Sequence, residues 1–310
     1  MKVIYAEKSS EKIYGPTGVG LGNFDGLHIG HMALVNTLLS ESRFYELDSV
    51  VYTFSKHPEN ILRKKLITPL LTTESKKIQL LNETSLDYLY FEEFDERFSR
   101  LQPEEFVKNI LVDKLNVKLA VAGFDYRFGY KGQGDTELLK AFGEKLGFKV
   151  IIIPPVKMDN EVISSTLIRD QVKKGNMEKV FKLLGRHYSV TGKVQNGKQR
   201  GSKLGFPTAN LHPEVYLILP HDGVYVTKTM IDGTLYNSIT NIGRNPTFEE
   251  DGQVRVETHV LDFKKDIYGN CIEVFFISKV RGEKRFKNKD ELLKQVKKDI
   301  NVAREYFKGV

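Results

Sequence analysis

The stretch GVGLGNFDGLHIGHMALVNTLL, Gly18 to Leu39, puts four glycines into nine residues and then sets His28 and His31 three apart. Two imidazoles at that spacing admit three chemistries. As zinc ligands they need a His-Glu-x-x-His pattern or cysteine partners, and neither is visible. As core histidines they need an apolar face, yet Gly26 and Gly30 flank them in a turn-forming stretch. As phosphate binders they need a glycine-rich strand-to-helix turn, whose N–H groups approach an anion while the helix adds its positive end. Imidazoles on that first helical turn hold a leaving pyrophosphate and stabilise charge on a phosphate under attack. Such chemistry works by positioning and electrostatics, with no nucleophile from the protein. The third reading suits the residues best, with the other two still standing.

A second anion signal is Ser164-Ser165-Thr166-Leu-Ile-Arg169. Small hydroxyl residues at a helix start offer capping oxygens and exposed N–H groups, with a guanidinium one turn on. Alone, this is an ordinary helix cap; beside His28 and His31 in one domain it reads as a second phosphate contact. Two misleading motifs drop out. Gly18-x-Gly20-x-Gly22 lacks the spacing of the dinucleotide fingerprint. The Gly192–Gln199 stretch has Gln199 where a P-loop needs a hydroxyl for magnesium.

These residues need a scaffold, and the hydropathy pattern supplies one. β-type runs at Val3–Tyr5, Val19–Phe24, Ser49–Phe54, Leu119–Phe124 and Val150–Val156 alternate with helical patterns at His31–Leu47, Ser75–Thr84, Pro103–Leu115 and Asp135–Gly147. Pro103 suits a first helical turn and Gly147 a C-cap. The alternation predicts a doubly wound parallel sheet, with ligands beyond the carboxyl ends of its strands. From Tyr188 the pattern changes to short strands: Tyr188–Val194, Gly223–Met230, Leu235–Gly243, Val254–Phe263 and Cys271–Val280. Asp232-Gly233 marks a hairpin. About six antiparallel strands predict a small barrel, closed by a helix with the apolar stripe Leu292, Val296, Ile300, Ala303 and Phe307. The domains are expected at 1–184 and 185–310.

Bulk properties bound the rest. At 310 residues the chain accommodates two domains. Its single cysteine, Cys271, excludes an internal disulfide and a multi-cysteine zinc site. The first twenty residues lack the apolar core of a signal peptide, and no run is long enough to span a bilayer, so a cytoplasmic protein is expected. A net charge of +7 suits an acidic partner such as a nucleotide. The lysines are spread rather than blocked, which argues against nucleic acid. A monomer is the default expectation.

With these residues in view, GNFDGLHIGH followed by SSTLIR resembles the adenylyltransferase half of prokaryotic FAD synthetases, within the HxGH nucleotidyltransferase superfamily. Gly123-Phe-Asp125-Tyr-Arg-Phe128-Gly129 is similar to that family's nucleotide and flavin loop. The second half resembles riboflavin kinases through Gly205-Phe206-Pro207-Thr208-Ala209-Asn210, Asn241-Ile-Gly243, Pro246-Thr247-Phe248 and Val256-Glu257. The resemblance implies a Rossmann-like nucleotidyltransferase domain and a kinase barrel. It also implies two reactions: riboflavin and ATP to FMN and ADP, then FMN and ATP to FAD and pyrophosphate.

Carried over position by position, His28 and His31 contact the ATP phosphates. Gly22, Asn23, Phe24, Asp25 and Gly30 shape the nucleotide turn, and Ser164, Ser165, Thr166 and Arg169 hold the triphosphate. Gly123, Asp125, Phe128 and His57 fall at the flavin and nucleotide loops. In the kinase half, Gly205, Phe206, Pro207, Thr208 and Asn210 match the ATP site, with Thr208 and Asn210 as ligands of Mg2+, and Glu257 matches the general base. A primary alcohol needs a carboxylate to take its proton, and magnesium prefers oxygen donors, so the chemistry agrees. Alternation in VRVETHV also allows Glu257 to be simply an outward charge beside Arg255 and His259.

Two departures from the family pattern are Tyr126, where phenylalanine is usual, and Ser55-Lys56, where Asp-Pro is usual. Arg281-Gly-Glu-Lys-Arg-Phe286 resembles a flavin-side segment and equally a solvated basic turn. The alternatives are an enzyme retaining one of the two activities, and a flavin- or RNA-binding regulator on the same scaffold.

Overall fold

The apolar runs of the first 160 residues assemble into one six-stranded sheet. Its strands are β1 (Lys2–Tyr5), β2 (Thr17–Leu21), β3 (Asp48–Phe54), β4 (Tyr88–Glu92), β5 (Val117–Gly123) and β6 (Lys149–Ile153). All pair in parallel, in the order β1-β4-β3-β2-β5-β6. The computed structural model describes residues 1–6, 12–56, 58–62, 68–195, 206–213, 217–244 and 254–309. It divides into two units, Met1–Ser165 and Thr166–Val310.

The sheet is buried on both faces, as doubly wound sheets must be. Val19, Leu21, Val50, Tyr52, Ala120 and Ala122 enter one core with Phe106, Val107 and Leu111. Val51, Leu89, Phe91, Leu119 and Val121 enter the other, with Leu34, Val35 and Leu38 of the helix Ile29–Phe44. Gly18 and Gly20 serve this packing. A Cβ on Gly20 would lie 3.0 Å from Leu38 and 3.1 Å from Leu34, and one on Gly18 would strike the Ser42 hydroxyl. Half of the opening glycines thus seat a helix on its strand.

Three sequence expectations change here. Strand β2 ends at Leu21 rather than Phe24, because Phe24 adopts a positive φ of 49°. Strand β4, absent from the sequence reading, slots between β1 and β3. The third helix starts at Pro103 and passes into a π-helical stretch over Phe106–Val112. Gly147 caps the Thr136–Leu146 helix in the left-handed conformation, φ 79°. A two-residue ladder pairs β7 (Lys157–Met158) with β8 (Glu161–Val162).

In the second unit the helices Ser165–Lys174 and Met177–Leu184 precede a closed antiparallel barrel. Its strands are β9 (Tyr188–Gln195), β10 (Ala209–Pro213), β11 (Gly223–Ile231), β12 (Thr234–Arg244), β13 (Val254–Val260) and β14 (Cys271–Arg281), in the order β10-β13-β12-β11-β14-β9. Asp232 and Gly233 take φ of 47° and 78° and let Ile231 pair with Thr234, as the hairpin signal requires. Strand β10, which is not among the runs that the hydropathy pattern marks, closes the barrel between β13 and β9.

The barrel interior carries hydroxyls as well as hydrocarbon. Thr227, Thr229, Ser238, Thr240 and Thr258 are fully buried and hydrogen-bond to one another at 2.8–2.9 Å, so each polar group is satisfied. Outside, the helix Lys289–Lys308 lays Val296, Ile300, Ala303 and Phe307 against Val224, Val226, Ile239, Leu261 and Ile277. A forked ion pair adds to this docking. The Arg281 guanidinium donates to Asp299 from Nε at 3.0 Å and from Nη2 at 2.8 Å.

Candidate active sites

The connections leave β2 in one direction for β3 and β4 and return to its other side for β5 and β6. Beyond the carboxyl end of β2 is therefore the switch point where doubly wound sheets bind ligands. Leu21 pairs with Ala122, so the turn after Gly22 and the loop after Gly123 leave the sheet side by side.

The first turn is strongly shaped. Phe24, Gly26 and Leu27 have φ of 49°, 88° and 40°, a run of left-handed residues that survives only when its surroundings over-determine it. The buried Asp25 carboxylate accepts from the Leu71 N–H at 3.0 Å, the Thr72 N–H at 3.1 Å and the Thr72 hydroxyl at 3.2 Å. The Asn23 carbonyl accepts from Thr53 Oγ1 at 3.0 Å and Lys77 Nζ at 2.9 Å. The Ser165 hydroxyl donates to the Asp25 carbonyl at 2.8 Å. Phe24 turns its ring into the core, 5.4 Å from the His31 ring.

His28 is the N-cap of the Ile29–Phe44 helix, and its Nδ1 accepts the His31 backbone N–H at 3.2 Å. With Nδ1 an acceptor, a neutral ring carries its proton on Nε2, which makes Nε2–H the ring's donor. The two imidazoles stack with centroids 3.6 Å apart and planes 15° apart. Gly30 permits this, since a Cβ there would sit 3.1 Å from His28 Nδ1. The histidines sit at a helix N-terminus, where the phosphate reading needs them.

Gly123 ends β5, and Asp125 follows exposed. Phe128 is buried against Phe106 at 5.5 Å and stacks with Tyr126 at 5.8 Å. Burial pushes the Tyr126 hydroxyl well above the usual tyrosine range. Ser164 and Ser165 lie at the start of the Ser165–Lys174 helix, with Thr166 exposed and Arg169 half-buried further along it. His57 lies outside the described residues.

Sequence reasoning missed Lys77. It is buried in the Glu74–Asn82 helix, where burial lowers its ammonium from 10.5 to about 8 against the opposing pull of Asp25 and Glu74. The signal was present: Lys77 precedes the core residue Leu81 by one helical turn, on the face that should be apolar.

On the barrel, the register assembles the second group. Asn210 pairs with Glu257 across β10 and β13, and Glu257 pairs with Asn241 across β13 and β12. Directly opposite residues share a face, so the three side chains form one row. Val256, Thr258 and Val260 are buried while Arg255, Glu257 and His259 lie on the other face, as the alternation requires. The Pro207 carbonyl is 2.8 Å from His259 Nδ1, and Phe206 packs edge-on to that ring at 6.0 Å. Thr208 is half-buried two residues before Asn210. Glu283, from the segment after Arg281, comes within 3.2 Å of where a Gly243 Cβ would stand. Gly205 and the Pro246–Phe248 stretch lie outside the described residues.

Thr208 and Asn210 offer a hydroxyl and an amide carbonyl, both oxygen donors of the type magnesium takes. This donor set fits the ion.

Comparison with known proteins finds a family match for each half of the chain. Residues 10–167 match the FAD synthetase family and residues 184–307 the riboflavin kinase family. A bifunctional riboflavin kinase/FMN adenylyltransferase of Buchnera aphidicola (from Schizaphis graminum) is 37% identical over 310 residues, 99% of each chain. The protein of the same description from Bacillus subtilis is 34% identical, covering 94% of this chain and 93% of that one. A crystal structure from Streptococcus pneumoniae, described as a macrolide-efflux protein, superposes with a TM-score of 0.89 at 33% identity, over 98% of this chain and 99% of that one. No helix among the described residues is long and apolar enough to cross a membrane. The chain therefore belongs to the bifunctional riboflavin kinase/FMN adenylyltransferase family, with a FAD synthetase half followed by a riboflavin kinase half.

Proposed function

We propose that this protein converts riboflavin to FAD in two ATP-dependent steps, with residues 185–310 as the kinase and 1–184 as the adenylyltransferase. The observation that carries the reading is that one chain holds both the His28–His31 pair at the sheet's switch point and the Asn210–Glu257–Asn241 row on the barrel.

In the first step Glu257 takes the proton of the ribityl 5′-hydroxyl as its oxygen attacks the γ-phosphorus of ATP, giving FMN and ADP. Thr208 and Asn210 would hold Mg2+, which neutralises phosphate charge when bound. Gly205, Phe206 and Pro207 complete the ATP loop. In the second step a phosphate oxygen of FMN attacks the α-phosphorus of a second ATP, and pyrophosphate leaves. His28 and His31 donate to the phosphates as charge shifts onto the leaving group. Gly22 to Asp25 and Gly30 shape the turn, while Ser164, Ser165, Thr166 and Arg169 hold the triphosphate. Gly123, Asp125, Phe128 and His57 contribute to the flavin and nucleotide loops. The protein works as a monomer in the cytoplasm. The efflux description belongs to the Streptococcus relative.

A kinase-only variant of the reading has one observation in its favour. Ser55 and Lys56, which depart from the family pattern, line a cleft with Asn23 and Asp25. Chromatography of flavins after incubation with riboflavin and Mg-ATP, beside a reaction started from FMN, separates the readings. FAD in both tubes supports the two-step enzyme, FMN alone the kinase, and no product a binding protein.

A further inference from the structure

Lys77 is an expensive residue to keep. Its side chain is buried, and an ammonium taken out of water costs several kcal/mol unless something uses the charge. Two of its three N–H donors are engaged, with the Asn23 carbonyl at 2.9 Å and Thr53 Oγ1 at 3.2 Å. Neither acceptor needs it, because Thr53 Oγ1 itself donates to the Asn23 carbonyl at 3.0 Å. A methionine of similar length would leave that carbonyl satisfied and remove the desolvation cost. The fold alone therefore does not account for the charge.

What the ammonium does touch is the catalytic turn. The Asn23 carbonyl stands one residue ahead of the turn Phe24–Leu27, three of whose four residues have positive φ and which leads directly into His28. Every fastening on that turn described above is a neutral donor: the Leu71 and Thr72 N–H groups, the Thr72 hydroxyl and the Ser165 hydroxyl. Lys77 adds a cationic donor on the residue just before it. It also lines an open cleft with Asn23, Asp25, Phe54 and Thr72.

Resting on the reading of the first unit as an adenylyltransferase, we infer that Lys77 is a positioning residue for adenylyl transfer. Its ammonium holds the Asn23 carbonyl and so sets the turn that presents His28, and it supplies positive potential to the cleft where polyphosphate charge accumulates. The charge is retained for the reaction at the expense of stability, a common trade at functional sites.

The test uses the full chain with Lys77→Met and Lys77→Arg, measuring FMN formation from riboflavin and FAD formation from FMN on each preparation. Lys77→Met should lower kcat for FAD formation about 10- to 100-fold, move KM for FMN and ATP less than threefold, and leave FMN formation unchanged. Its melting temperature should equal or exceed that of the parent, a result that a merely structural lysine would not give. Lys77→Arg, which restores charge, should recover part of kcat. The parent kcat for FAD formation should fall as pH rises through about 8, where the ammonium titrates, and that limb should vanish in Lys77→Met. The charged groups facing Lys77 are Asp25 on the turn, Glu74 on its own helix and Lys56 across the cleft, with the Phe91 ring 5.8 Å away on β4. Undiminished FAD formation by Lys77→Met overturns the inference while leaving the enzyme assignment intact. A parent protein that forms FMN but no FAD overturns the assignment, and the inference with it.

Discussion

The His28 and His31 rings stack at 3.6 Å, and His28 Nδ1 accepts the backbone N–H of His31. The same bond caps the helix and assigns the His28 proton to Nε2, so helix formation and donor orientation are one event. A ring without an Nδ1 acceptor loses both.

Changing either histidine to alanine should cut FAD formation by about two to three orders of magnitude, the effect of losing one transition-state donor. FMN formation by the same preparation should stay within twofold. Equal damage to both steps would falsify the assignment of these residues to adenylyl transfer alone.

Glu257→Gln keeps the shape of the β13 row and removes the base. FMN formation should fall by roughly two to four orders of magnitude, with FAD formation from supplied FMN preserved. If Glu257 is an outward charge beside Arg255 and His259 and nothing more, the kinase rate will hardly move.

Asp25→Ala leaves the buried N–H groups of Leu71 and Thr72 without their acceptor. Each such loss costs about 1–3 kcal/mol. Urea unfolding of the first unit should show a loss of roughly 2–6 kcal/mol. Asp25→Asn, which keeps one carbonyl oxygen, should lose less.

Asp299→Ala leaves the Arg281 fork unanswered where the helix Lys289–Lys308 docks on the barrel. Removing one member of a buried pair costs about 3–5 kcal/mol, and toward the lower end here because Arg281 is partly exposed. The denaturant midpoint of the second unit should drop accordingly. An unchanged midpoint would show that the apolar stripe alone docks the helix.

The Lys77 ammonium also fixes the sign of a stability profile. Its folded pKa of about 8 lies below the unfolded value of 10.5, so the unfolded chain binds the extra proton between those limits. Stability of the first unit should therefore rise with pH from about 8 to 10.5, by up to about 3 kcal/mol from this group. The increment should be absent in Lys77→Met, which differential unfolding at pH 7 and 10 can read.

Much of this protein is legible in one dimension because its chemistry sits in contiguous motifs. GNFDGLHIGH, directly after a strand, places a turn, a helix cap and two imidazoles within ten residues, and local backbone geometry suffices to bring them together. The two fold classes follow from hydropathy periods of 3.6 and 2, which any amphipathic element must display. The Asp232-Gly233 hairpin is equally local.

What needed the tertiary structure is whatever depends on register or on distant burial. Strand β4 lies between β1 and β3, out of chain order, and its run Tyr88–Glu92 carries no alternation because it is buried on both faces. Strand β10 is not marked by the hydropathy pattern, and only its pairing with β13 and β9 sets Asn210 opposite Glu257. Lys77 is 54 residues from Asn23 in sequence. A lysine in a helix reads as solvated surface until the sheet and the turn close over it, since composition records that a charge exists but not how far it lies from water.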